Sequence, residues 1–74
     1  MKYGWEVQFI LPQSAVSVEA LKAALAKMGD SVVVTAALGL LKAHVHTPDP
    51  DAVVAYAKRL GEPQQLQVVN LDEA

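Results

Sequence analysis

The chain has 74 residues, six basic against eight acidic, two histidines and no cysteine. That length folds as one small domain; disulfides and thiolate metal sites are excluded, and the lack of a basic run speaks against nucleic acid as a partner. No stretch is long and apolar enough to span a bilayer and Met1-Lys2-Tyr3-Gly4-Trp5 is no signal peptide, so the expectation is a soluble, cytoplasmic domain.

The residues are 53% hydrophobic, more than so short a chain can bury, so the surplus is expected in a partner surface. The chain begins and ends almost flush with its outer predicted strands, as a module of a longer polypeptide would.

From the N-terminus, Tyr3 to Leu11 alternates Trp5, Val7 and Phe9 against Glu6, Gln8 and Ile10, the pattern of a half-buried strand that Pro12 ends. Ser17 is placed to cap a helix reaching about Met28, with Val18, Leu21, Leu25 and Met28 on one stripe. Gly29 stands where a left-handed closing residue is wanted. Ser31 to Thr35 reads as a second strand, and a short connection over residues 36–39 predicts a hairpin into a third. Asp49-Pro50 is a helix start, Asp for the free amides and Pro for the first turn. That helix turns Val53, Val54, Ala57 and Leu60 inward and stops at Gly61, and Leu66 to Leu71 is the last strand.

Strand, helix, strand, strand, helix, strand is the order of a ferredoxin-like α+β sandwich, two helices covering one face of a four-stranded antiparallel sheet. In that topology strands one and three are central neighbours and strands two and four are edges. Trp5, Val7, Phe9, Leu41, Ala43 and Val45 then face the helices, leaving Glu6, Gln8, Lys42, His44 and His46 on the open face.

The chemistry concentrates in Leu41-Lys42-Ala43-His44-Val45-His46-Thr47-Pro48-Asp49-Pro50. Two imidazoles two residues apart on a strand have Cα atoms about 6.7 Å apart and can grip one metal ion. Strand pairing would bring Glu6 beside His46, and a carboxylate with two neutral imidazoles is a partial zinc ligand set with the fourth position left to water or another group. The plainer alternatives stay open: exposed histidines that bind nothing, histidines packed in an interface, and Lys42 simply pairing with Glu6. Trp5 and Tyr56 read as core or interface, and Ser17 and Asp49 as caps. No phosphate-cradling Gly-rich loop and no activated serine motif is present.

Gly29-Asp30-Ser31-Val32-Val33-Val34 and Leu41 to Pro50 give the chain a family likeness. It resembles the middle domain of the fatty acid kinase A subunit, among the dihydroxyacetone-kinase-like proteins, whose members show Gly-Asp-Ser before valines, a His-x-His-Thr-x-Asp-Pro run, and a helix ending near Tyr-Gly-Glu. Here that helix carries Ala55-Tyr56-Ala57-Lys58-Arg59-Leu60-Gly61-Glu62. The family's first strand, Tyr-Gly-Tyr-Cys-Thr-Glu-Phe, aligns with Tyr3-Gly4-Trp5-Glu6-Val7-Gln8-Phe9.

The resemblance implies that His44 and His46 are zinc ligands, with Glu6 at the position of the family's cysteine ligand; oxygen for sulfur makes a harder site. It also implies that ATP binds in a separate domain, that neighbouring kinase domains and the fatty-acid-carrying subunit serve as partners, and that this domain self-pairs, here as a homodimer through the open sheet face. The reading is thus a metal-capable, oligomerising middle domain without a nucleotide or nucleophile site of its own. Two alternatives are a regulatory small-molecule-binding domain and a purely structural dimerisation module.

Overall fold

The computed structural model describes residues 4–72. The elements are β1 (Trp5–Pro12), α1 (Val18–Ala26), β2 (Asp30–Ala37), β3 (Leu40–Thr47), α2 (Pro50–Leu60) and β4 (Gln64–Asn70). The four strands form one sheet in the order β2-β3-β1-β4, antiparallel at each pairing. This is the ferredoxin-like arrangement expected from the element order, with β1 and β3 central. Of the predicted first strand, Tyr3 lies outside the described residues and Pro12 is included at the far end.

Alternation along the central strands separates the two faces of the sheet. Val7, Phe9 and Leu11 of β1 and Leu41, Ala43 and Val45 of β3 are fully shielded, packed with Leu21 and Leu25 of α1 and Val53 and Ala57 of α2. Val18, Met28, Val54 and Leu60 pack half-buried around that core. Each buried Leu or Val contributes roughly 1.5–3 kcal/mol relative to exposure. Trp5 is only half-buried because it stands at the end of the sheet, opposite Thr47 and Asn70.

Local signals set the helix starts. Ser17 accepts the Ala20 amide at 3.1 Å, and Asp49 accepts the Ala52 amide at 3.2 Å, with Pro50 in the first turn of α2. The carboxylate-first, cation-last order of α2, Asp51 to Lys58 and Arg59, suits the helix dipole. No described helix is long and apolar enough to cross a membrane.

The end of α1 differs from expectation. The helix stops at Ala26, and Gly29 is not left-handed; the described residues with positive φ are Gly4, Gly39, Ser31, Leu38 and Gln65. Gly29 is needed for a close approach instead. A Cβ there would strike the His46 carbonyl, with the carbonyl carbon at 2.9 Å and Thr47 Cα at 3.1 Å. Buried Thr47 locks the same junction: its hydroxyl donates to the Met28 carbonyl at 2.8 Å and accepts the Asp49 amide at 3.0 Å. The start of β2 and the end of β3 are thereby pressed together.

The β2–β3 hairpin turns on Leu38 and Gly39, at φ 55° and 79°. Both central residues of such a turn want φ above zero, which Gly and Asn accept and Leu does not. Leu38 is also fully exposed. Leu38→Gly is therefore expected to raise stability by roughly 0.5–1 kcal/mol, read as a higher urea midpoint at unchanged slope; a lower midpoint would contradict the turn assignment.

Candidate metal centre

The register places Glu6 opposite His46 and Gln8 opposite His44. A long carboxylate can therefore reach both imidazoles, one straight across and one diagonally. His44 Nε2 lies 3.0 Å from Glu6 Oε1, and His46 Nε2 lies 3.4 Å from the same oxygen. The imidazole centroids are 4.9 Å apart and tilted at 58°. Side-chain exposures of 23% for Glu6, 28% for His44 and 31% for His46 describe a shallow, solvent-reachable cluster.

Two further contacts hold it. Gln8 Nε2 donates to Glu6 Oε2 at 2.8 Å, leaving Oε1 to the histidines. His44 Nδ1 lies 3.1 Å from the Ser31 carbonyl oxygen. A carbonyl only accepts, so Nδ1 donates to it, and Nε2 is the ring nitrogen turned toward Glu6. At 3.0 Å, Nε2 and the Glu6 oxygen are joined by a hydrogen bond, and a metal ion can take the place of its proton. A backbone carbonyl on the remote ring nitrogen is also how metal-bound histidines are oriented.

The spacing fits a small divalent ion. One ligand atom from each of Glu6, His44 and His46 lies within 4.8 Å of the others. Tetrahedral zinc with bonds near 2.05 Å separates its ligand atoms by about 3.3 Å, against the 3.0 and 3.4 Å found here. The Glu6 carboxyl is held below its ordinary value, first by the hydrogen bond from His44 and then by that from Gln8, with burial opposing. It is an anion ready for a cation.

Glu6, Gln8, Lys42, His44 and His46 all stand on the face away from the helices, as the alternation predicts. Lys42 is a correction: it forms no ion pair with Glu6. It lies opposite Ile10, four residues along β3 from His46, a strand distance of about 13 Å that the side chains do not close. The histidines take its place as partners of Glu6.

Two contributors escaped sequence reasoning. Gln8 was legible as a same-face neighbour of Glu6, though its hydrogen bond was not. The Ser31 carbonyl had no sequence signal, because it depends on an irregularity in β2 between Asp30 and Val33, where Ser31 takes φ 53°. Such a bulge re-aims the backbone locally.

One family model, described as the fatty acid kinase A-subunit-like middle domain, matches residues 2–74. No curated protein matches the chain.

Proposed function

Because the chain belongs to the family of fatty acid kinase A-subunit-like middle domains, we propose that it is a metal-capable, self-associating module of a fatty-acid-kinase-like protein. Glu6, His44 and His46 hold one divalent ion of the zinc type. The observation that carries this reading is the aim of both Nε2 atoms at one oxygen of Glu6, with His44 Nδ1 on a backbone carbonyl. Bound there, zinc supplies Lewis acidity and a fourth position for water or another ligand. Glu6 supplies the negative charge that stabilises the cation, Gln8 fixes which carboxylate oxygen it presents, and Ser31 fixes the tautomer of His44.

The module works beside other parts of its parent. ATP is bound in a domain outside this chain, and its partners in the cytoplasm are neighbouring kinase domains and a fatty-acid-carrying subunit. Val33 and Val69, paired with His44 and Glu6, are exposed large apolar side chains on the open face beside the metal cluster, and Leu40 is another at the far end of that face; they suit contact with a second copy through it.

Metal analysis of protein purified without a histidine tag tests the first half. Wild-type protein is expected to retain about one zinc per chain after desalting, and His44→Ala and His46→Ala to lose it; equal retention in the variants rejects the site. Sedimentation equilibrium of the same samples tests the second. A concentration-dependent dimer is expected, and a monomer at every concentration rejects self-association.

A further inference from the structure

A second feature of the open face lies away from the metal cluster. The β1–β4 ladder runs in register from Trp5 to Gln8, opposite Asn70 to Gln67, then slips so that Ile10 faces Gln64. The extra residue is on β4, and Gln65 absorbs it at φ 50°. Beside this bulge is a cavity of about 180 Å³, lined by Gln8, Phe9, Ile10, Lys42, Gln65 and Gln67. Bulges commonly re-aim side chains in this way to build a site.

We propose that this cavity binds a small oxyanion, a carboxylate or a phosphate. Lys42 is the only charged residue of the lining, and it has no ion pair among the described residues. The nearest acid along β1, Glu6, is already bound to His44, His46 and Gln8, so it does not neutralise Lys42. Gln65 and Gln67 add amide donors without adding negative charge. An ammonium with flanking amide N–H groups and no carboxylate selects for oxygen acceptors bearing negative charge. Ile10 gives the cavity an apolar wall against which the non-oxygen end of such a ligand can rest. This assignment stands whether or not the cluster around Glu6 holds a metal.

The test is a titration of the full chain followed by the side-chain amide resonances of its glutamines in nitrogen-edited NMR. Acetate, inorganic phosphate and chloride are compared at equal ionic strength, with EDTA present. Saturable shifts at Gln65 and Gln67 are expected from acetate, phosphate or both, the responding anion naming the class, and none from chloride. Lys42→Met should weaken binding by roughly tenfold or more, and Lys42→Arg should keep it; the same spectra report that each variant is folded. Shifts that never saturate, that chloride reproduces, or that survive Lys42→Met unchanged overturn the proposal. A response found without EDTA and lost with it places the anion on the metal instead, which overturns the cavity and leaves the metal reading intact.

Discussion

Zinc at one hundred times its dissociation constant is expected to raise the thermal midpoint of the wild-type chain by roughly 10–20 °C. A ligand that binds only the native state contributes about 2.7 kcal/mol at that excess. For a domain of this size each kcal/mol moves the midpoint by roughly 4–8 °C. The rise should disappear in His44→Ala and His46→Ala. It should shrink but survive in Glu6→Gln, which keeps an amide oxygen near the imidazoles and loses the charge. Glu6→Cys should enlarge it, since a thiolate is the stronger partner for zinc. Scanning calorimetry with and without EDTA decides the matter. A midpoint that zinc leaves unchanged in each of the five proteins would leave the cluster as a hydrogen-bonded trio and nothing more.

Acid acts on the same cluster in one direction. The folded carboxyl of Glu6 sits below its unfolded value, so the unfolded chain binds its proton at higher pH than the native chain does. Its contribution to stability is therefore present above the unfolded carboxylate range and is lost as pH falls through the lowered folded value. With zinc bound the loss is steeper, because protons also compete with the metal for His44 and His46. Midpoints measured across the acid limb with and without EDTA should converge as pH falls; curves that stay parallel would argue against metal at these residues.

Gly29→Ala is expected to be the most damaging single substitution outside the buried core, at about 3 kcal/mol or more. Its added methyl meets the backbone of His46 and Thr47, not a flexible side chain. Relief requires moving β3 within a sheet paired on both sides. A domain of this length has a total stability of only about 4–11 kcal/mol. Because the strained contact is at His46, zinc retention should fall with stability. Gly39→Ala is the internal control: open space surrounds its Cβ and only φ 79° opposes it, so roughly 1 kcal/mol is expected. Urea unfolding of the two variants separates the cases, and equal losses would mean that the approach of Gly29 to β3 is looser than described.

Much of the fold was legible because its signals are local. Val7, Phe9 and Leu11 alternate with Glu6, Gln8 and Ile10, and only one register buries the apolar set. Ser17 and Asp49-Pro50 cap their helices through bonds closed within three residues. The family likeness at His44 to Pro50 pointed to the residues that converge. Gly29 was read through the commonest use of a glycine after a helix, whereas its use here depends on a strand that lies 17 residues later in the chain. A Lys42–Glu6 pair stood open as an alternative because both share a face, but face-sharing does not give distance along the strands.

By itself, then, the sequence determined which side chains lie under the helices and which stand on the open face, because strand alternation and helix periodicity are properties of neighbours in the chain. Only the tertiary structure decided that two Nε2 atoms meet one oxygen of Glu6, that Ser31 fixes the tautomer of His44, and that a slip in β4 opens a cavity beside Lys42. Those depend on register, bulges and backbone approach between distant segments. They arise when strands far apart in sequence are pressed together, and no local run of residues specifies them.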